Sequence, residues 1–110
     1  MNEYEIIMTD DAVSDLLELR DYIAGVLLAP DTALSYIRSI RKVISTLSAL
    51  PGRVKPVDEE PWHPRGIRRI TANNFYVYYR IDEPAGAVFV LNVIYARRDQ
   101  LKALSHMKLD

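Results

Sequence analysis

Cysteine is absent from this chain, and histidine occurs only twice, as His63 and His106. The lack of cysteine excludes disulfides, thiolate chemistry and zinc sites with cysteine ligands. Two histidines are too few to suggest any other metal site, so no metal and no cofactor are expected. No apolar run reaches the ~20 residues of a membrane helix, and the acidic N-terminus lacks a signal-peptide core. These absences predict a soluble cytoplasmic protein with no membrane partner.

Apolar residues make up 49% of the 110 positions, enough for one hydrophobic core and a single domain over residues 1–110. The net charge of −1 conceals an asymmetry. Residues 1–64 hold 6 Lys/Arg against 11 Asp/Glu, a balance of −5, and residues 65–110 hold 8 against 4, a balance of +4. The positive half favours an anionic partner such as nucleic acid or an acidic peptide. Ordinary solvated surface charge explains the same asymmetry equally well.

Three consecutive strands are predicted in the second half of the chain, over residues 67–71, 75–81 and 88–95. The first strand is short and basic, the second is aromatic, and the third is apolar. Turn signals at Asn73-Asn74 and at 82–86 separate them. Short connections of this kind predict an antiparallel meander.

Alternation along the middle strand divides its side chains between two faces. The more apolar set is expected to face the core: Phe75, Val77, Tyr79 and Ile81. The other set presents phenols and a guanidinium on the opposite face: Tyr76, Tyr78 and Arg80. Either Arg68 or Arg69 of the first strand joins this second row, because neighbouring residues point to opposite faces.

Two helices are predicted before these strands, from about Ala12 to Leu27 and from Pro30 to about Leu50. Their apolar stripes are Ala12, Leu16, Leu19, Ile23 and Val26, and Ala33, Ile37, Ile40, Ile44 and Leu47. An antiparallel helical hairpin over the apolar face of the sheet would bury both stripes. Four acidic residues lie off the first stripe and are expected to form a solvated face: Asp11, Asp15, Glu18 and Asp21.

The remaining segments complete an α+β fold of order β-α-α-β-β-β(-α). A short strand over residues 4–8 joins the sheet at an edge or between strands. Residues 51–65 hold four of the six prolines and form a crossing loop, in which Trp62 is expected to be a buried anchor. His63 is the best general-base candidate by its ordinary pKa, against an incidental place in the loop. Residues 100–110 are expected to form a short helix or a frayed tail, with an apolar stripe of Leu101, Leu104 and Met107.

The order of these elements and several short motifs resemble the RelE/ParE superfamily of type II toxin–antitoxin toxins. The likeness extends from about residue 3 to 104. The strongest motifs are Gly66-Ile67-Arg68-Arg69, Asn74-Phe75-Tyr76-Val77-Tyr78-Tyr79-Arg80-Ile81-Asp82 and Val93-Ile94-Tyr95-Ala96-Arg97-Arg98-Asp99. The resemblance implies a bacterial toxin, of a kind associated with plasmid stabilisation, that a cognate antitoxin holds inactive.

The superfamily divides into two mechanisms. RelE-like members cleave messenger RNA on the ribosome, whereas ParE-like members poison DNA gyrase without an RNase site. The main expectation is a ribosome-dependent mRNA endonuclease, in which Arg68, Arg69, Tyr76 and Arg97 are the candidate catalytic residues. The candidate substrate-binding residues are Tyr78, Arg80, Tyr95 and Arg98. Arginines suit phosphate, and tyrosines can stack on bases or donate protons.

Other features favour the alternative, a gyrase inhibitor that is not an enzyme. Lysine is absent from residues 56–101, and arginine is a poor proton acceptor, so a general base is missing unless His63 or a tyrosine serves. A slightly negative chain is an awkward RNA-binding protein. The ending Tyr95 to Asp99 also looks ParE-like. A local ion pair that fixes the exit of the strand explains Arg97, Arg98 and Asp99 without any function.

Overall fold

The computed structural model describes residues 3–107. Their regular elements are β1 (Glu5–Met8), α1 (Asp10–Asp21), α2 (Pro30–Ser45), β2 (Arg68–Ala72), β3 (Phe75–Asp82), β4 (Ala87–Tyr95) and α3 (Gln100–Leu104). A π-helical turn (Tyr22–Val26) extends α1, and 3₁₀ turns (Thr46–Ser48, Pro51–Arg53) follow α2. The predicted α+β order is confirmed.

The four strands form one mixed sheet in the order β1-β4-β3-β2. Strands β2, β3 and β4 are the predicted antiparallel meander. Strand β1 lies at the edge and runs parallel to β4, with Glu5 opposite Ala87 and Met8 opposite Val90. The two-residue turn between β2 and β3 places Asn73 at a φ of 56°, a left-handed conformation that asparagine tolerates better than most residues.

Helix α1 begins where Thr9 leaves β1. The Thr9 hydroxyl accepts the Ala12 N–H at 3.2 Å and donates to the Val90 carbonyl at 2.8 Å, so one side chain caps the helix and attaches it to β4. The helix was expected to continue regularly to Leu27, but it changes to the π-helical turn at Tyr22. The wider turn rotates the end of the apolar stripe outward, which leaves Val26 67% exposed and makes its predicted core position wrong.

Helix α2 begins at Pro30, as predicted, because proline suits the first position of a helix. It ends at Ser45 and tightens into a 3₁₀ turn, several residues before the expected end at Leu50. Its predicted stripe is correct: Ala33, Ile40, Ile44 and Leu47 are buried and Ile37 packs against them. Between the helices, Leu28 adopts a φ of 53° and lies exposed at the turn of the hairpin.

The sheet is buried on both faces. On one face the helices cover Val77 and Tyr79 of β3, with Phe75 and Ile81 partly buried beside them, as the alternation predicted. On the other face lies a second core made by the proline-rich loop, α3 and the sheet: Val57, Trp62, Ile67, Tyr78, Leu91, Ile94, Leu104 and Met107. The predicted anchor Trp62 is therefore confirmed, whereas Leu101 is exposed and does not belong to its predicted stripe.

A β-bulge interrupts the pairing of β3 with β4. Tyr78 lies opposite Asn92 and Tyr79 lies opposite Val90, so Leu91 is one extra residue on β4. Before the bulge, Val90 directs its carbonyl toward Thr9 at the start of α1. After it, Val93 directs its N–H to the same outer edge. The bulge therefore exchanges which backbone groups of β4 face outward.

We expect Leu47→Ala to lower the free energy of unfolding by about 2–5 kcal/mol, because the Leu47 side chain is 0% exposed and its removal leaves a cavity. Leu34→Ala is the matched control. Leu34 is 51% exposed, so this change should stay within about 0.5 kcal/mol. Urea titration of both variants measures the difference, and equal midpoints would contradict the packing described here.

Candidate functional site

The predicted tyrosine–arginine row is present on the face that carries the second core. Arg69 of β2 is the arginine that joins it. Its guanidinium carbon lies 4.2 Å from the ring centroid of Tyr76 and 6.0 Å from that of Tyr78. Arg69 also donates to the Tyr78 hydroxyl at 3.3 Å, and that hydroxyl donates to Oε1 of Gln100 at 2.8 Å. The row is a connected cluster that ends on α3.

This cluster is part of the core. Tyr78 is 0% exposed, so the expectation that its phenol lies on an open face is wrong. The alternation assigned the face correctly, but the loop around Trp62 and helix α3 cover it. Burial raises the pKa of Tyr78, and the Arg69 guanidinium opposes that rise. Tyr78 is therefore a neutral hydroxyl that holds Gln100, and Tyr76 is partly buried beside it.

The other two arginines of the sheet point elsewhere. Arg68 donates to the carbonyl of Val54 and so attaches the start of the loop to β2. Arg80 lies with its guanidinium carbon 4.2 Å from the ring centroid of Phe89, its neighbour across β4. Each of the three arginines therefore contacts a different part of the protein, and they do not converge on one anion.

The turn after β4 presents Arg97 and Arg98 to solvent. Gln100 holds this turn, because its Nε2 donates to the carbonyls of Tyr95 at 2.9 Å and Arg98 at 2.7 Å. Asp99 caps α3 by accepting the Lys102 N–H at 3.2 Å. Among residues 3–107 no ion pair joins Asp99 to either arginine, so the local ion pair offered as an explanation is absent. Both guanidinium groups remain available to a partner.

His63, the general-base candidate, lies in the loop that covers the second core. Its Nδ1 is 2.7 Å from the Val57 carbonyl oxygen, which makes it a donor to that loop. In the described part of the chain, no three His, Asp or Glu side chains come together as a metal site. None of the helices in that part has both the length and the apolar character needed to cross a bilayer.

Asp15 has a structural role that the sequence did not suggest. Its Oδ2 accepts Nδ2 of Asn92 at 3.0 Å and the Val93 N–H at 2.8 Å, so α1 is attached to β4 just beyond the bulge. Burial raises the pKa of Asp15 above its ordinary 3.8, although these two hydrogen bonds lower it. The predicted solvated face is therefore wrong for Asp15. The available signal was Asn92, an amide in an otherwise apolar strand.

A cleft of about 700 Å³ opens between the helical hairpin and the ends of β3 and β4. Tyr22, Leu27, Phe75 and Tyr95 form its apolar lining. Asp15, Glu18 and Arg98 line both this cleft and a smaller one of about 340 Å³ toward α3, so they lie at the shared edge. Of the predicted site residues, only Tyr95 and Arg98 belong to this cleft.

The fold, a helical hairpin on a four-stranded mixed sheet, is that of the RelE/ParE superfamily toxins of type II toxin–antitoxin systems. A model of the ParE toxin of the type II toxin–antitoxin system parDE matches residues 6–100, and the chain belongs to this family. No curated protein sequence matches the chain significantly.

Solved structures agree with the family. A chain of the chromosomal ParDE system from P. aeruginosa has a TM-score of 0.71 at 20% identity, over 86% of this chain and 98% of that one. The RelBE2 toxin–antitoxin complex from Mycobacterium tuberculosis gives 0.59 at 25% identity, over 86% and 93%. An arginine double variant of E. coli RelE in the free state gives 0.58 at 12% identity, over 92% of each chain.

The raised pKa of Asp15 predicts a pH dependence of stability. A group whose folded pKa lies above its unfolded value contributes stability that is present below the unfolded pKa and lost as pH rises through the folded one. Wild-type protein should therefore lose stability relative to Asp15→Asn as pH increases from about 3.8 upward. Urea unfolding of both proteins across this window measures the difference. A wild-type advantage that grows with pH would show that the hydrogen bonds outweigh burial.

Proposed function

We propose that this chain is the ParE-type toxin of a bacterial toxin–antitoxin pair, that it acts in the cytoplasm by inhibiting DNA gyrase, and that it performs no chemistry of its own. Its membership of the ParE family supports this reading over RNA cleavage. A cognate antitoxin is the expected partner, because two of the similar structures are described as toxin–antitoxin assemblies.

The observation that carries the proposal is the burial of the tyrosine–arginine row. Cleavage of RNA through its own 2′-hydroxyl needs a base, a cation and an acid that all reach the substrate. Tyr78 is inside the second core, Arg69 stacks on Tyr76, and His63 donates to a carbonyl in its own loop. These groups hold the protein together and leave no assembled set for proton transfer.

The second candidate is the mRNA endonuclease that the resemblance first suggested. One observation favours it: Arg97 and Arg98 are exposed cations beside the partly exposed Tyr95. Two guanidinium groups next to a phenol suit contacts with phosphate and with a stacked base. This arrangement supplies electrostatic stabilisation but no base, so a base would have to come from the ribosome or the RNA.

The double variant Tyr76→Phe/Tyr78→Phe separates the two candidates. Expressed without antitoxin, it should arrest growth as well as wild type does, because gyrase inhibition needs neither hydroxyl as an acid. Trapped gyrase–DNA breaks and loss of plasmid supercoiling are the expected readouts, with messenger RNA ends unchanged. Tyr4→Phe, a change on the opposite edge of the sheet, is the matched control.

The RNase reading expects a different result. Loss of a general acid would lower cleavage by about 10²–10⁴-fold, and wild type would produce cuts at defined codon positions. Arg97→Ala would then also abolish arrest, through loss of phosphate binding. Such cuts, together with undisturbed supercoiling, would overturn the gyrase proposal.

A further inference from the structure

The outer edge of β4 is open at its C-terminal end. Strand β1 covers only Ala87–Val90, whereas β4 continues to Tyr95. Because Val93 directs its N–H outward and the Ala96 N–H bonds to Asn74 on the β3 side, alternation also places the Val93 carbonyl and the Tyr95 N–H outward. Neither of these two groups has a hydrogen-bond partner among residues 3–107. The result is a short strand edge with an unused donor and an unused acceptor.

An apolar wall adjoins this edge. Tyr22 and Leu27 are each more than half exposed, and together with Phe75 and Tyr95 they line the 700 Å³ cleft. Exposed apolar groups that are grouped in a concave surface mark an interaction site more strongly than scattered ones do. Apolar side chains on one face of an incoming strand would reach this wall, because alternate residues share a face.

The end of the cleft nearest β4 is acidic. Asp15 and Glu18 lie one helical turn apart on α1, and the Glu18 carboxylate is close enough to raise the pKa of Asp15 further. Glu18 forms no ion pair within the described residues. Arg98 is the one cation that lines this cleft. A basic side chain on a partner would therefore complement the wall of α1.

We propose that the cleft between α1 and the open end of β4 binds an extended segment of the antitoxin. The segment pairs its backbone with the Val93 carbonyl and the Tyr95 N–H, places apolar side chains against Tyr22 and Leu27, and directs a lysine or arginine to Asp15 and Glu18. This inference rests on the proposed function, since it takes the antitoxin as the occupant. An extended segment fits better than a helix, because a helix uses its own backbone groups internally and leaves none for the strand edge.

Amide hydrogen exchange tests the backbone pairing directly. The probe is the full-length antitoxin encoded beside this toxin, mixed with the full toxin chain. Exchange at the Tyr95 N–H should be fast in the free toxin and at least about tenfold slower in the complex, because the amide gains a hydrogen bond. Glu18→Lys should weaken the complex by about tenfold or more, since it places a cation opposite the partner's cation. Glu3→Lys is the matched control and should leave affinity unchanged.

The outcomes distinguish this inference from the proposed function. If the antitoxin binds and neutralises the toxin while Tyr95 exchange stays fast, the docking site is wrong and the toxin–antitoxin reading stands. If Tyr95 is protected without antitoxin and the protection depends on toxin concentration, a second copy of the chain occupies the edge, which also overturns the inference. If the antitoxin neither binds nor relieves growth arrest, the proposed function itself fails.

Discussion

Burial of β3 on both of its faces is the constraint on which the rest of this structure depends. The helical hairpin covers one face, and the proline-rich loop with α3 covers the other. A strand enclosed in this way can offer only its backbone ends and the residues of its turns to a partner. Polar groups on it must be satisfied internally, and the chain from Arg69 through Tyr78 to Gln100 does this. Functional surfaces are therefore displaced to the margins, at the arginine turn and the cleft beside α1.

The division between core and surface explains how far the sequence could be interpreted. Periods of 3.6 and 2 identified the helices, the meander and the set of β3 residues that faces the hairpin. They could not show that a second layer covers the other face, because the loop that forms it has no period. Tyr78 was accordingly assigned to the correct face but to the wrong environment. The π-helical turn, which displaces Val26, likewise depends on local geometry that composition does not encode.

The candidate site was harder to predict than the fold. The exposed arginines Arg97 and Arg98 were found from a motif, and their exposure agrees with a role in binding. Asp15 was missed because an acidic residue on a helix is usually solvated, and only its hydrogen bonds to Asn92 and Val93 show that it links α1 to β4. Gln100 had no sequence signal. Its importance comes from three carbonyls that converge on one amide, and such convergence is a property of the folded chain.

The extra residue at Leu91 sets the phase of everything that follows it in β4. A strand has a period of two, so deletion of one residue at this point would exchange the faces of every later side chain. Val93 would turn toward the loop layer and Ile94 toward the hairpin, and the outward backbone groups would turn inward. Insertions and deletions of a single residue should therefore be excluded from residues 88–95 during evolution, whereas substitutions that preserve length and polarity remain permitted. The bulge acts as a fixed frame for the end of the chain, and natural variation in this protein should respect its parity.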